Sequence, residues 1–278
     1  MRQTVVIRGG GDLGSGVART LHRSGFRVLI LEVANPLVVR RTVSFAQAII
    51  DGEAAVEGIR AVRVDAQDDM FKQWRQGNIP VMVDPGGDML KEIKPDAVVD
   101  ATLAKRNTGM HRGMAPITIA LGPGFKAGED VDVVVETNRG HNLGRLIFEG
   151  YAEPDTGVPA PVKGYGRERV LRAPCGGAVT HILDIGAPVK AGDVICTVAG
   201  QPVKAPFDGM IRGLIMNGRE VVAGLKIGDV DPRPIQELCY TISDKARALG
   251  GAVLEAILYL QYRNGPGENS CGGKTVTG

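Results

Sequence analysis

Short apolar runs recur through the first half of the chain, separated by stretches with helical spacing. Residues 5–8 (VVIR) form a β-branched run and 28–32 (VLILE) an apolar one. Further strand-like runs lie at 61–64, 81–84, 98–101, 117–121 and 131–137. Residues 13–24 put Val17 and Leu21 on one helical face and stop at Gly25. Helical patterns also lie near 42–50, 67–76 and 88–93. Apolar strands alternating with helices predict an α/β fold, a Rossmann-like, mostly parallel sheet covered on both faces.

After about residue 150 the pattern changes. Residues 150–169 are rich in Gly and Pro and lack periodicity, so they read as a connection. Next comes an internal repeat. Residues 173–195 align without gaps on 205–227, an offset of 32, with matched pairs such as Gly177/Gly209, Gly186/Gly218 and Ile195/Ile227. Short apolar runs broken by glycine predict a small all-β sandwich with approximate two-fold symmetry. The spacing A-P-x-x-G and G-x-x-V resembles the barrel-sandwich hybrid of biotinyl and lipoyl carrier domains. Those carriers modify a lysine at the hairpin tip. Here the tip reads Ala199-Gly200-Gln201, and the nearby lysine, Lys204, adjoins the second unit. No biotin or lipoate is expected. From a Ser/Asp capping region, Leu249, Val253, Ile257 and Leu260 then share a helical face, and the Gly250–Gly251 pair suggests close backbone packing. The expected organisation is a ligand-binding domain over 1–160, the barrel-sandwich module over 165–235, a helix over 240–264 packing on the body, and a flexible tail over 265–278.

Composition narrows the function classes. Net charge is +2, from 33 basic and 31 acidic residues. That balance argues against a nucleic-acid partner, whose binding rests on phosphate neutralisation. No apolar run approaches the roughly 18–20 residues of a spanning helix. The chain opens on a strand rather than a charged-then-apolar leader. Four scattered cysteines lack a C-x-x-C pair, and His22, His111, His141 and His181 lack metal spacing. The expectation is a soluble, cytoplasmic protein with no membrane partner and no metal.

The chemistry-bearing stretch is Gly9-Gly10-Gly11-Asp12-Leu13-Gly14, which fits G-x-G-x-x-G between a strand and a helix. Such glycines let a backbone approach phosphate, and the helix N-terminus offers free N–H groups and a positive dipole end. Glu32 lies 18 residues beyond Gly14, where an acid can accept from ribose hydroxyls. The same pattern also makes a tight strand–helix turn with no ligand. A carboxylate at Asp12 opposes a phosphate unless it turns away.

Three polar stretches follow strands: Lys105, Arg106 and Asn107; the 120–125 turn; and Arg139 with His141. Ligands in open α/β sheets sit beyond strand carboxyl ends, so these residues are candidates for one anion or substrate site. Arg40 and Arg41, after an Asn-Pro turn, are further phosphate candidates; a solvated face explains them equally. Residues 268–275 (ENSCGGKT) imitate a P-loop but put Glu268 in place of the first glycine. Cys271 there reads as a tail residue.

Several stretches together resemble the accessory proteins of selenium-dependent molybdenum hydroxylases, the YqeB family. They are VVIRGGGDLGSGVARTLHRSGFRVLILE, PLVVRRTVSFAQAI, LAKRNTG, IALGPGF, DVDVVVETNRGHNLGR, GLKIGDVDPR and ISDKARALGGAVLEAIL. The resemblance implies a helper in maturing a molybdenum hydroxylase. Its partners would be that enzyme or its cofactor-insertion machinery. Its ligand would be a small phosphate-bearing molecule, of nucleotide or molybdopterin type. The residues leave two other readings open: a nicotinamide-dependent oxidoreductase using the same glycine loop, and a non-catalytic structural adaptor.

Overall fold

A computed structural model describes residues 2–155, 157 and 160–264. The first half runs β1 (Thr4–Arg8), α1 (Asp12–Arg23), β2 (Arg27–Glu32), α2 (Ala48–Asp51), β3 (Glu53–Val56), β4 (Ile59–Val64), α3 (Gln67–Arg75), β5 (Ile79–Val83), α4 (Met89–Ile93), β6 (Ala97–Asp100), β7 (Ile117–Leu121), β8 (Val133–Val135) and β9 (Leu146–Ile147). Their sheet has the order β3-β4-β5-β2-β1-β6-β7-β8-β9. The seven strands from β4 to β8 in that order are parallel; β3 and β9 pair antiparallel at the edges. Chain order reverses between β1 and β6, the place where open sheets of this kind form a crevice.

Alternation explains the continuous apolar runs. Val5, Ile7, Val28 and Ile30 join a core on one face, and Val6, Leu29 and Leu31 join a core on the other. A parallel strand buried on both faces has no polar side to show. The expected helix near 42–50 is instead two 3₁₀ turns, Arg41–Val43 and Phe45–Gln47, followed by α2. Side-chain hydroxyls account for the break: Ser44 Oγ donates to Gly10 O at 2.7 Å, and Phe45 N donates to Ser15 Oγ at 2.7 Å. The expected run at 61–64 is the end of β4, whereas β3 and its hairpin pairing with β4 are visible only in the structure.

The second half holds β10 (Val170–Arg172), β11 (Gly177–His181), β12 (Pro188–Val189), β13 (Val194–Val198), β14 (Gln201–Lys204), β15 (Gly209–Leu214), β16 (Glu220–Val221) and β17 (Lys226–Asp231). They make two four-stranded antiparallel sheets, β10-β17-β15-β12 and β14-β13-β11-β16. The sequence repeat maps one sheet onto the other. Val189 pairs with Gly209 as Val221 pairs with Gly177, and Arg172 pairs with Lys226 as Lys204 pairs with Val194. Each unit lends its short strand, β12 or β16, to the other unit's sheet. Val179, Ile195 and Val198 of one sheet share a core with Ile211, Leu214 and Ile227 of the other.

The last helix, α5 (Asp244–Asn264), returns to the parallel sheet. Leu249, Val253, Ile257 and Leu260 are buried in the same core as Val5 and Ile7. No helix among the described residues is long and apolar enough to cross a membrane. Cys271, the 268–275 stretch and the rest of the 265–278 tail lie outside the described residues.

Candidate anion-binding site

The glycine turn joins β1 to α1. Gly9 has φ +91°, and an added Cβ there would meet Thr102 at 3.2 Å. At Gly14 an added Cβ would run into the Gly9 carbonyl oxygen. The turn is held from within. Gly10 O accepts from Ser15 Oγ at 3.0 Å, Ser44 Oγ at 2.7 Å and Ala46 N at 2.8 Å. The Glu32 carboxylate accepts the N–H groups of Gly10 and Val33, each at 2.8 Å. Glu32 thus supports the loop itself. Gly11 occupies the N-cap of α1 with no side-chain hydrogen bond, so the first N–H groups of that helix keep no cap.

Two hollows flank this turn. The smaller, about 300 Å³, lies beyond the ends of β1, β2 and β6 and touches Arg8, Gly9, Glu32 and Thr102. Beneath it Arg8 Nη1 meets Asp100 Oδ2 at 3.2 Å, both buried. Arg8 Nη2 also donates to Pro85 O and Thr108 O, and Asp100 Oδ1 accepts from Thr102 N and Oγ1. Burial raises the Asp100 carboxyl above its ordinary value, with Thr102 and then Arg8 pulling the other way.

The larger hollow, about 860 Å³, opens on the other flank. Asp12 and Leu13 bring the first turn of α1 to it, Asn138 and Arg139 the loop after β8, and Ser243 and Lys245 the start of α5. The antiparallel sheets and their lead-in contribute Arg169, Arg172, Arg212, Lys226 and Asp229. Arg40 and Asp155 complete its charged wall. Seven basic side chains therefore face three carboxylates.

The seam between the halves builds this wall. Val39 O accepts from Leu214 N at 2.9 Å, and Arg219 Nη2 donates to Asn35 O at 2.5 Å. Arg40 Nη2 donates to Leu238 O and Thr241 O, both at 3.1 Å, and Arg41 donates to Leu214 O at 2.8 Å and Asp184 Oδ1 at 2.6 Å. Behind the wall, Asp229 and Asp231 are buried among Arg169, Arg212 and Arg233. Burial pushes Arg40 below the ordinary arginine range, and Arg212 adds to that push. Burial first, then Arg139, also lowers the Lys245 ammonium. An anion nearby would favour the charged form of both groups.

The structure distributes the candidates read from the sequence unevenly around these hollows, Gly9 and Glu32 on the smaller, Asp12, Leu13, Arg40 and Arg139 on the larger. Arg41 ties the halves together instead of facing either. Lys105 is 77% exposed and reaches the rim through Asp155 at 3.2 Å. The Arg106 backbone packs beside Gly124, where an added Cβ would lie 2.7 Å from its N. Asn107 closes its own turn by accepting from Gly109 N and Met110 N. His141 is exposed and lines neither hollow. Arg169, Arg172, Arg212, Lys226 and Lys245 had no motif to mark them singly. The stretches GLKIGDVDPR and ISDKARALGG, which hold Lys226, Asp229 and Lys245, were the available signal.

Fold and cavity together define a class: a mostly parallel α/β protein carrying a repeat-built antiparallel module, with a basic cavity at their junction. The protein named "Uncharacterized protein YqeB" of Escherichia coli strain K12 is 51% identical over 261 residues, 94% of this chain and 48% of that protein. The chain belongs to the YqeB family. It spans about half the length of the curated relative it matches. No family model matches. Among solved structures, an aspartoacylase family protein from Mesorhizobium loti is 10% identical, with 83% of this chain and 85% of that one covered at a TM-score of 0.26. The ectoine utilization protein EutE (DoeB) of Ruegeria pomeroyi, in its product-bound form, is 14% identical, with 82% and 85% covered at 0.25.

Proposed function

We propose that this chain is an accessory factor in the maturation of selenium-dependent molybdenum hydroxylases, and that it acts in the cytoplasm by holding a phosphate-bearing ligand of nucleotide or molybdopterin type. The observation that supports a phosphate-bearing ligand is the 860 Å³ cavity whose wall sets seven cations against three carboxylates beside the uncapped start of α1. The maturation role and the partner, a molybdenum hydroxylase or its cofactor-insertion machinery, come from the family resemblance. In this reading the parallel sheet is a Rossmann-like domain that grips without redox chemistry. The two repeat-related sheets are a biotinyl-like module that serves as the opposite wall rather than as a carrier. Its hairpin tip is Ala199-Gly200, with no lysine between β13 and β14.

The occupied Glu32 carboxylate weighs against a nicotinamide dinucleotide laid across the turn in the usual way. A thermal-shift series with AMP, CMP, pyrophosphate, molybdopterin, NAD and NADP tests the reading. A ligand that binds only the folded chain stabilises it by about 2.7 kcal/mol at a hundredfold excess over Kd. At this size that is a rise of roughly 5–10 °C. At least one phosphate-bearing ligand should give it, and Lys226→Glu, an exposed change on the cavity wall, should shrink it. A flat response to the whole series, or a Lys226→Glu chain that responds like the parent, overturns the reading. Hydride transfer from NADH would favour the oxidoreductase instead.

A further inference from the structure

The inner wall of the large cavity holds two guanidiniums that the fold leaves incompletely satisfied. Arg40 is 7% exposed. Its Nη2 is spent on two backbone carbonyls, and its Nη1 lies 3.6 Å from Asp12 Oδ2. Its Nε is enclosed with no hydrogen-bond partner among the described residues. Arg212, on β15, lines the same cavity. Its nearest carboxylate oxygens, on Asp229 and Asp231, are 3.6 and 3.8 Å away, beyond ordinary hydrogen-bond reach. The Arg212 Nε is likewise enclosed without a partner among the described residues. The enclosed Nε atoms are out of a ligand's reach, but both side chains line the cavity with charge that the fold's carboxylates pair only loosely, and that points to an anion.

The charge balance favours a multivalent anion over a monovalent one. Arg169, Arg212 and Arg233 share Asp229 and Asp231, and Arg40 has only the loose contact with Asp12. Lys245 lines the same cavity with no ion pair among the described residues. At the inner wall these five cations against three carboxylates leave two positive charges; Arg172 and Lys226 add two more at the exposed mouth, where Asp155 is paired with Lys105. Arg139 does not enter this balance, because Asp244 pairs with it in two contacts.

We propose that the cavity binds a tetrahedral oxyanion carrying two negative charges, gripped between Arg40 of the first half, Arg212 of the repeat module and the N-terminus of α1. This rests on the phosphate-ligand reading above and adds where the phosphate sits and which halves hold it. A terminal phosphate monoester and a free inorganic oxyanion share this chemistry. Asp12 competes with the anion for Arg40, so the carboxylate tunes affinity downward.

Calorimetric titration of the full chain at pH 8 and fixed ionic strength tests it, with inorganic phosphate, sulfate, AMP and nitrate as probes. Phosphate and sulfate should compete for one site, and nitrate, a monoanion, should not displace them. Arg212→Gln should weaken phosphate binding at least tenfold, and Arg212→Lys should restore part of it. Asp12→Asn, at the cavity edge, should tighten binding several-fold, a gain that a damaged fold does not produce. Tighter binding of AMP than of phosphate assigns the monoester; the reverse order assigns the free oxyanion. Nitrate competing as well as sulfate, or Asp12→Asn and Arg212→Gln both binding like the parent, overturns the proposal. If AMP binds regardless of Arg212, this inference falls while the phosphate-ligand reading stands. If inorganic dianions bind through Arg212 but no organic phosphate does, the inference stands and that reading falls. If no probe binds, both fall.

Discussion

A Cβ added to Gly250 of α5 would lie 2.8 Å from the carbonyl oxygen of Gly16 in α1 and would also collide with Thr20 Oγ1. The contact is reciprocal: a Cβ on Gly16 would meet Ala246 O at 2.6 Å. The two helices therefore cross nearly backbone to backbone, and this crossing sets the start of α5, with Lys245, beside the start of α1.

The neighbouring glycine offers an internal control. Gly251 is exposed, with nothing within 4 Å of an added Cβ. Gly251→Ala should stabilise the chain by up to about 1 kcal/mol, the helix-propensity difference. Gly250→Ala gains the same propensity but overpacks the crossing, at a cost of about 1–3 kcal/mol. It should come out destabilising. Urea denaturation of both variants checks the opposite signs; equal effects would mean that the crossing is looser than described.

The buried Arg8–Asp100 pair sits where the strand order reverses. Removing one member leaves the other charge unpaired, which costs about 3–5 kcal/mol. Asp100→Ala should therefore lower Tm by roughly 6–20 °C, since each kcal/mol shifts a domain of this size by about 2–4 °C. Scanning calorimetry reads it. A shift under about 3 °C would show that Arg8 is satisfied by Pro85 O and Thr108 O alone.

Arg139 holds the Asp244 carboxyl well below the ordinary carboxylate range, chiefly through their hydrogen bonds. A carboxyl depressed on folding stabilises the chain above its unfolded pKa, near 4, and that stabilisation is lost as pH falls through the folded value. Tm of the parent should therefore fall from pH 4 downward more steeply than that of Asp244→Asn. The pair is substantially exposed, so the difference should be modest and should shrink in high salt. Parallel Tm–pH curves for the two chains would remove the pair from the acid response.

Lys245 links stability to binding. Its pKa is lowered by burial first and by Arg139 second. A lysine depressed on folding costs stability while it is charged in both states, and the cost fades as pH rises through the folded value toward the unfolded one. The cost is therefore greatest at low pH and shrinks as pH rises. Lys245→Met keeps the apolar stem and removes the charge, so it should stabilise the free chain by about 0.5–1 kcal/mol. It should also weaken phosphate binding. Thermal melts with and without phosphate separate the two effects; a variant that loses both, or gains both, contradicts this account of the cavity.

Local pattern determined much of this protein. The β1–α1–β2 unit with its glycines, the parallel strands, the amphipathic face of α5 and the 32-residue repeat were all legible, because each rests on residues close in sequence. The Gly250–Gly251 pair signalled close packing, but Gly16 as the partner of Gly250, the Glu32 contact with Gly10, and the Arg41 link to Asp184 were not legible, because each depends on a partner brought in by the fold. The cavity is the strongest case. Arg40, Arg139, Arg212 and Lys245 lie on four separate segments. No spacing rule connects them, since only the seam at residues 35–42 and the α1–α5 crossing bring their charges onto one wall. Sequence could show that a glycine turn was present; which of its flanks gathers positive charge is a property of the tertiary structure, because Coulomb interactions depend on distance in space and on burial.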